Sequence, residues 1–466
     1  MSGSFNEMDV PPTLVSFALS MTEASKTGTA AFQKKDSLVA FLPLPVDDKT
    51  LLPDFAKAKE LYDEVTRLVQ FGVVNAASVV CEGGVAATVA RMSFGNRIGF
   101  AFNGEVDRQT LFAPLAGSIV LELKEGDLCL EGLDYTLIGS TIEEEEIVLA
   151  GETLPLDDLI RVWTAPLDPV FPIDSKAEPT MTPEVKLWAQ RNDHAPAIHT
   201  ARPRVFIPVF PGTNCEYDTA RAFERAGAVA DTLVVKNLTP AGIEETIQRM
   251  EASIRNAQIV MLPGGFSGGD EPDGSGKFIA TTLRNPRLAE AINDLLQNRD
   301  GLMLGICNGF QALIKLGLVP YGEIRPLAED APTLTFNTLG RHISRMVYTR
   351  ISSVKSPWLA GCEAGDVHCI PVSHGEGRFV ANAAVMQQLV ENGQIATQYV
   401  TPDGVPVPET TWNPNGSVCA VEGITSPDGR VFGKMGHSER CGDDLLRNVP
   451  GNKDQKLFES GVRYFR

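Results

Sequence analysis

The chain has 466 residues, a formal net charge of −18, and a composition that is 43% hydrophobic and 21% charged. This length exceeds the size at which single cores stop growing, about 250–300 residues, so two or three domains are expected. The charge argues against nucleic acid or an anionic membrane as the main partner, and the apolar fraction is that of an ordinary globular protein.

The eight cysteines include no Cys-x-x-Cys pair, so they predict neither a disulfide framework nor a zinc site. Cys362, His368 and Cys369 are close in sequence but lack a partner pair at ligand spacing, and no metal site is expected. The start, MSGSFNEMDVPP, has no charged n-region or apolar h-region, and no apolar run approaches about 18 residues. These features predict a cytoplasmic protein.

The first part of the chain mixes short strands with helices. Apolar runs at 13–19 and 38–42 predict strands, and the apolar spacing over 53–70 predicts a helix. A strand, a turn and a helix of small residues follow over 77–95, where Gly83 and Gly84 would let the backbone approach a phosphate. The remaining elements expected here are strands at 98–102, 118–123 and 135–142 and a helix at 156–163.

A linker is expected between the two halves of the chain. Six prolines lie between 166 and 200, where apolar periodicity is weak and only a short helical piece near 183–191 is predicted. The predicted divisions are therefore a domain at 1–165, a linker at 166–201 and a second domain at 202–466.

The second domain begins with regular alternation of strands and helices. Strands are predicted at 205–210, 231–236 and 258–265, and helices at 217–226, 240–254 and 277–298. Alternation of this kind predicts a parallel sheet with helices on both faces and a ligand site beyond the strand C-termini. The loops at 211–215, 263–270 and 305–309 all follow strands, so they should share one rim. After 330, shorter segments suggest an antiparallel extension, with a final helix near 454–461.

The stretch GLMLGICNGFQALIKL (301–316) predicts a strand that turns through Gly-x-Cys-x-Gly into an amphipathic helix. Such an elbow would hold Cys307 exposed above the sheet edge, with a helix N-terminus behind it that favours the thiolate. This pattern makes Cys307 a candidate nucleophile. The alternative is that Cys307 is a small buried hydrophobic residue, the commonest fate of a free cysteine.

A cysteine nucleophile needs a base, a group that orients the base, and donors for the oxyanion. His437 and Glu439, in KMGHSER, would point to one side of an extended segment and could supply the first two. Gly264, Gly265 and the amide of Asn308 are the candidate donors. The alternative for His437 and Glu439 is a surface His-Ser-Glu segment with no catalytic role. The alternative for Gly264 and Gly265 is an ordinary Pro-Gly-Gly turn.

Residues 203–440 resemble the class I, triad-type glutamine amidotransferase domain of the phosphoribosylformylglycinamidine synthases. The segments that carry the resemblance are FPGTNCEYD (210–218), LPGGFSGGDE (262–271), LGICNGFQAL (304–313), PVSHGEGRF (371–379) and NPNGSVCAVEGITSPDGRVFGKMGHSER (413–440). One departure is GGFSGGDEPDGSGKF, which is longer than the usual family loop. The resemblance implies a flavodoxin-like, parallel-sheet domain that hydrolyses glutamine to glutamate and ammonia.

By the same resemblance, Cys307 attacks the glutamine carboxamide, His437 transfers protons and Glu439 orients His437. The oxyanion would be held by the Gly265 and Asn308 amides. The residues expected to line the glutamine pocket are Gln311, His374 and Glu376. The glutaminase step itself needs no cofactor.

Residues 9–170 are similar to the C-terminal half of the second synthetase repeat in the large, single-chain form of that enzyme. DVPPTLVSFAL, SVVCEGGVAATVARMSFG and YTLIGS carry this similarity, which implies an α+β, AIR-synthetase-like (PurM-like) domain. The chain would then be a C-terminal portion, and ammonia would pass to upstream synthetase domains that bind ATP, Mg²⁺ and formylglycinamide ribonucleotide. Glu82, Gly83 and Gly84 are the candidates for a structural nucleotide.

Two other functions fit part of the pattern. A stand-alone Cys–His γ-glutamyl hydrolase would use the same elbow, but it would not need the synthetase-like residues 9–170. A non-catalytic assembly module would keep the fold, but it would not need Cys307, His437 and Glu439 together.

Overall fold

The computed structural model describes residues 3–5, 8–12, 14–47, 49–50, 52–169, 171–172, 179–192, 194–267, 276–442 and 445–466. The chain divides into two compact units, Met1–Leu167 and Asp168–Arg466. In the described part of the chain, no helix combines the length and the apolar character that crossing a membrane would require.

The first unit contains nine strands and four α-helices within its described residues. The strands are β1 (Gly3–Phe5), β2 (Met8–Val10), β3 (Leu38–Leu42), β4 (Val74–Val79), β5 (Gly99–Phe102), β6 (Ile119–Leu123), β7 (Thr136–Ile142), β8 (Glu146–Leu149) and β9 (Glu152–Pro155). The helices are α1 (Phe55–Gln70), α2 (Gly84–Phe94), α3 (Arg108–Leu111) and α4 (Leu156–Thr164). Seven of the strands form one sheet in the order β4-β6-β3-β7-β5-β8-β9, antiparallel except where β5 pairs with β8.

Alternation along β3 places apolar side chains on both faces of this sheet. Val39 and Phe41 pack in one core with residues of α2, whereas Ala40 and Leu42 pack in another with residues of α1. The α1 helix begins where the Asp54 side chain accepts hydrogen bonds from two backbone N–H groups of its first turn. The unit is therefore a mixed sheet with a helix on each face.

The strand predicted at 13–19 is wrong. Residues 14–20 are irregular, and Leu14 and Phe17 are 94% and 88% exposed, while Thr13 lies outside the described residues. A short apolar run becomes a strand only when a neighbouring strand accepts its backbone hydrogen bonds.

The second unit has strands β10 (Arg204–Val209), β11 (Val229–Val234), β12 (Ile259–Leu262), β13 (Leu302–Ile306), β14 (Thr333–Thr335), β15 (Ile343–Ile351), β16 (Val367–His374), β17 (Arg378–Val380), β18 (Ile395–Val400), β19 (Val421–Thr425) and β20 (Val431–Lys434). Its helices are α5 (Glu216–Arg225), α6 (Pro240–Asn256), α7 (Lys277–Leu283), α8 (Pro286–Gln297), α9 (Asn308–Leu316), α10 (Leu318–Tyr321), α11 (Ala383–Glu391) and α12 (Leu457–Arg463).

Nine of these strands form one sheet in the order β11-β10-β12-β13-β20-β19-β18-β15-β16. The first five are parallel, and the remainder continue the sheet in antiparallel pairs. The α/β alternation and the antiparallel extension are as predicted. Because β10, β12, β13 and β20 run in the same direction, the loops that follow them lie at one edge of the sheet.

Two predicted helices differ from the structure. The helix expected at 277–298 is two helices, α7 and α8, because Pro286 begins the second one and the Asn285 side chain caps it at Arg287 N. The helical piece expected near 183–191 does not form. Instead, the backbone of Trp188 bonds to Ser352 and Val354, which uses the groups that a helix would pair internally.

Candidate active site

Cys307 lies at the junction of β13 and α9 in a strained backbone conformation. Its φ and ψ are 53° and −108°, and a positive φ is uncommon for a residue with a side chain. The flanking glycines permit the close packing of this elbow. A Cβ at Gly309 would lie 1.9 Å from the Leu262 carbonyl oxygen, and one at Gly305 would lie 2.7 Å from Gly309 backbone atoms. The predicted strand–turn–helix elbow is therefore present.

The Cys307 side chain is buried, whereas the sequence predicted an exposed thiol. It is 5% exposed, its backbone N–H donates to the Lys434 carbonyl at 2.8 Å, and Sγ lies 3.8 Å from the Ser373 carbonyl oxygen. The antiparallel extension supplies Ser373 on β16, and this neighbouring strand covers the elbow. The thiol is therefore held in the interior of the second unit, beside β16.

His437 and Glu439 are held together by a turn, not by the extended segment that the sequence predicted. They follow β20, and the Arg440 N–H donates to the His437 carbonyl at 3.2 Å. His437 Nδ1 lies 2.6 Å from Glu439 Oε1, and each residue is 2% exposed. The carboxylate accepts the ring N–H and fixes the orientation of the imidazole.

Cys307, His437 and Glu439 shift one another's pKa values toward their charged forms. Burial by itself would raise the pKa of Cys307, but the charge of His437 and a contact with His374 bring that pKa down to about 6. Burial would lower the pKa of His437, yet Glu439 and Cys307 raise it well above its usual value. The pKa of Glu439 is lowered, since the charge of His437 outweighs its burial. The arrangement therefore favours a thiolate beside an imidazolium at neutral pH.

Gly264 and Gly265 follow β12 and pass close to this group. A Cβ at Gly264 would lie 2.7 Å from His437 Cε1 and 3.4 Å from Cys307 Cβ. Gly265 has a φ of 147°, and a Cβ there would lie 2.6 Å from the Gly212 carbonyl oxygen. A side chain at either position would clash with these neighbours. The two glycines therefore allow the backbone of the Pro-Gly-Gly turn to pack directly against the elbow.

Asn308 is the first residue of α9, where backbone N–H groups have no acceptor inside the helix. Its side chain also connects Gln311 to the elbow. Asn308 Nδ2 donates to Gln311 Oε1 at 2.9 Å, and Gln311 Nε2 donates to the Glu376 carbonyl at 2.6 Å. His374 Nε2 lies 2.8 Å from Asn415 Oδ1. Gln311, His374 and Glu376, which the sequence analysis predicted for the glutamine pocket, are all buried in the second unit.

Cys215 is a site residue to which sequence reasoning gave no role. It precedes α5, is 1% exposed, and its Sγ lies 3.8 Å from His437 Nδ1. Arg440 Nη2 donates to the same sulfur at 3.2 Å. Its place in FPGTNCEYD, in a loop expected at the rim, was the available signal.

Glu82, Gly83 and Gly84 lie in the first unit. Glu82 and Gly83 line a mainly apolar cavity of about 410 Å³ that also includes Phe94 and Trp163. A Cβ at Gly84 would lie 2.5 Å from the Leu111 carbonyl oxygen. Close packing against that backbone accounts for the glycine at position 84.

Comparison with known proteins places the second unit in a family. Residues 202–465 match the CobB/CobQ-like glutamine amidotransferase domain. The phosphoribosylformylglycinamidine synthase subunit PurQ of Aquifex aeolicus is 35% identical over 247 residues, which is 53% of this chain and 94% of that protein. The PurQ subunit of Symbiobacterium thermophilum is 35% identical over 264 residues, which is 56% of this chain and 96% of that protein.

A solved structure of PurLQS from Thermotoga maritima aligns with 57% of this chain and 100% of its own, at 26% identity and a TM-score of 0.41. The family assignment rests on the sequence matches, since they cover nearly the whole of each PurQ subunit. Over residues 202–465, the chain belongs to the CobB/CobQ-like glutamine amidotransferase family and, within it, to the family of the phosphoribosylformylglycinamidine synthase subunits PurQ.

Proposed function

We propose that the chain is the glutamine-hydrolysing portion of phosphoribosylformylglycinamidine synthase. It would release ammonia for the ATP-dependent conversion of formylglycinamide ribonucleotide to formylglycinamidine ribonucleotide. The observation that carries the proposal is the buried group of Cys307, His437 and Glu439 at a strand–helix elbow, in a domain whose relatives are PurQ subunits.

The first half-reaction begins with the Cys307 thiolate. Its sulfur adds to the side-chain carbonyl carbon of glutamine, and the carbonyl oxygen becomes an oxyanion near the Gly265 and Asn308 N–H groups. When the intermediate collapses, the C–N bond breaks and His437 gives its proton to the departing nitrogen, so ammonia leaves. The product on the protein is a γ-glutamyl thioester.

Water completes the cycle. His437, now neutral, takes a proton from water as the oxygen adds to the thioester carbonyl carbon, and the C–S bond then breaks. Glutamate leaves, and the thiolate–imidazolium pair is restored. Glu439 stays ionised throughout and stabilises the imidazolium at 2.6 Å.

Gln311, His374 and Glu376 would form the glutamine pocket. The support is that Gln311 is tied on one side to Asn308, next to the nucleophile, and on the other to the Glu376 backbone. Further support is that His374 contributes to the lowered pKa of Cys307. Residues 268–275 of the neighbouring loop lie outside the described part of the chain.

For the first unit, the AIR-synthetase-like assignment and the partnership with upstream synthetase domains remain part of the proposal. ATP and Mg²⁺ would act in those upstream domains. A structural nucleotide at Glu82, Gly83 and Gly84 stays a prediction, and Glu82 and Gly83 line a mainly apolar cavity.

The test is affinity labelling with a diazo-ketone analogue of glutamine, followed by peptide mass mapping of all eight cysteines. The expected result is one adduct, on Cys307, that excess glutamine prevents. Cys441 and the exposed Cys81 serve as internal controls for non-specific alkylation. Labelling of several cysteines without protection by glutamine, in folded protein, would contradict the proposal.

A further inference from the structure

The second cysteine of the site suggests a function beyond glutamine hydrolysis. Cys215, His437 and Glu439 each offer one ligand atom, and these atoms lie within 4.8 Å of one another. Within the described ranges, this is the one group of three such side chains that comes together. By contrast, Cys362, which sequence reasoning considered with His368 and Cys369, donates its S–H to the Gln455 carbonyl at 3.0 Å.

The spacing approaches that of a tetrahedral zinc site. With Zn–S and Zn–N bonds of about 2.3 and 2.05 Å, sulfur and nitrogen ligands lie roughly 3.5 Å apart, and nitrogen and oxygen ligands roughly 3.3 Å apart. Cys215 Sγ lies 3.8 Å from His437 Nδ1, and Glu439 Oε1 lies 2.6 Å from the same nitrogen. Binding would need His437 and Glu439 to separate by less than about 1 Å, and it would need Cys215 to approach both, since the three ligand atoms are within 4.8 Å of one another but wider apart than the tetrahedral spacing at the sulfur.

Two further observations point to a ligand. Glu439 is buried, and its Oε2 makes no hydrogen bond to another described residue, so one carboxylate oxygen is available. Cys215 stands at the N-terminus of α5, a helix of ten residues, and its sulfur accepts a hydrogen bond from Arg440. The S–H of Cys215 donates to Asn214 Oδ1 at 3.1 Å, and a bound metal would take the place of that proton. Arg440 also repels a cation, but Asp218 lies 3.8 Å from its Nε and offsets that charge.

We propose that a soft divalent cation of the zinc class binds Cys215 Sγ, His437 Nδ1 and the Glu439 carboxylate, and thereby inhibits the glutaminase. Binding breaks the Cys215 S–H and His437 Nδ1–H bonds, and both protons leave to solvent. Two anionic ligands and a neutral imidazole then balance the charge of the ion. A water molecule would complete four-coordination.

Inhibition follows from the tautomer that the metal imposes. With the ion on Nδ1, the other ring nitrogen of His437 carries the remaining proton and can no longer accept one from water. The Glu439 carboxylate is also removed from its role as hydrogen-bond acceptor. The ion would thus disable the base without contacting Cys307.

The deciding experiment uses Co²⁺ as a spectroscopic substitute and the full chain carrying Cys307→Ser, so that the elbow thiol cannot bind the ion. Titration is expected to produce a near-ultraviolet thiolate-to-cobalt charge-transfer band and the visible bands of tetrahedral cobalt. Both should disappear in Cys307→Ser/Cys215→Ser and persist in the matched control Cys307→Ser/Cys441→Ser. Bands that survive loss of Cys215, or no bands in variants folded by circular dichroism, would overturn the proposal.

Inhibition by Zn²⁺ is a second readout, which links the metal site to activity. The cobalt titration does not depend on it. Zn²⁺ is expected to inhibit glutamine hydrolysis reversibly, with activity restored by a chelator. In Cys215→Ser, compared with its own metal-free rate, half-inhibition should need at least tenfold more Zn²⁺. Equal sensitivity in both proteins would assign inhibition to Cys307 instead. Because the cobalt bands do not depend on glutamine turnover, they test metal binding even if the proposed function fails.

Discussion

Lys434 and Glu422 form an ion pair in the interior of the second unit, with Nζ and Oε1 3.3 Å apart and both side chains 0% exposed. The pair holds the turn that carries His437. Lys434 Nζ donates to the Gly436 carbonyl at 2.9 Å and to Ser438 Oγ at 2.8 Å, and Glu422 Oε1 accepts from the Gly436 N–H at 2.6 Å. The Lys434 carbonyl also accepts the Cys307 N–H. One residue thereby positions both Cys307 and the turn that carries His437.

Replacing Lys434 by Met should destabilise the protein and reduce glutaminase activity. Methionine fills a similar volume but leaves the Glu422 carboxylate buried without its cation, a change that costs about 3–5 kcal/mol. Urea unfolding monitored by fluorescence should show the loss, and the double variant Lys434→Met/Glu422→Gln should recover part of it.

The matched control for that change is Lys236→Met, since Lys236 pairs with Glu245 at 2.8 Å but both side chains are about half exposed. Its effect should stay within about 1 kcal/mol. Equal costs at the two lysines would show that the buried pair does not hold the turn.

The pH dependence of Cys307 alkylation should directly show the pairing of the Cys307 thiolate with the His437 imidazolium. Because the folded-state pKa is lowered to about 6, the thiolate is present above that pH, and the iodoacetamide rate should rise through a midpoint near 6. An unperturbed cysteine would instead show a midpoint of about 8.5.

Glu439→Gln provides the variant for the same measurement. Removing the carboxylate lowers the pKa of His437, so less imidazolium stabilises the thiolate and the Cys307 midpoint should move to higher pH. Peptide mapping at each pH identifies the alkylated cysteine. An unchanged midpoint would mean that Glu439 does not act on Cys307 through His437.

The Gly264→Ala substitution should impair catalysis more than stability. The added methyl group would lie 2.7 Å from His437 Cε1 and 3.1 Å from Cys215 Sγ, so the imidazole must shift. A displacement of about 1 Å can cost on the order of 100-fold in rate, while overpacking costs about 1–3 kcal/mol in stability.

Glutaminase kcat and thermal unfolding should be measured together for this variant. Gly242→Ala is the control, because the nearest atom to its Cβ is Thr239 Oγ1 at 3.1 Å and the position lies in the exposed first turn of α6. A kcat at Gly264→Ala within twofold of the unsubstituted chain would contradict the tight approach of His437.

The sequence pattern was sufficient for features that depend on local signals. Alternating apolar runs and short turns predicted the parallel strands, and Gly-x-Cys-x-Gly predicted the elbow at Cys307. The sequence pattern did not predict contacts between segments that are distant along the chain. Burial of Cys307 depends on β16, some 66 residues away along the chain, and the contact of Cys215 with His437 spans 222 positions.

The buried ion pair of Lys434 and Glu422 could not be predicted from the sequence pattern either. Lys434 stands at the end of a strand and would ordinarily be read as solvent-exposed, since lysine is almost never fully buried unless paired. Its partner Glu422 lies on the neighbouring antiparallel strand β19, so the pair depends on strand register. A register is set by the complete sheet, and a single sequence does not define it.

Gln311 connects the elbow to the proposed glutamine pocket. Substitution by Leu keeps the volume but leaves Asn308 Nδ2 and the Glu376 carbonyl without their present partner. An unsatisfied buried group costs about 1–3 kcal/mol, so kcat/KM should fall roughly 5- to 150-fold. Because Gln311 is 3% exposed and does not form part of the Cys307–His437–Glu439 group, most of the loss should appear in KM. Gln387→Leu is the control, since the Gln387 side chain bonds its helix neighbour Glu391 in an exposed contact, and its kinetics should be unchanged. A loss confined to kcat would instead assign Gln311 to stabilising the transition state, through the position of the Asn308 amide.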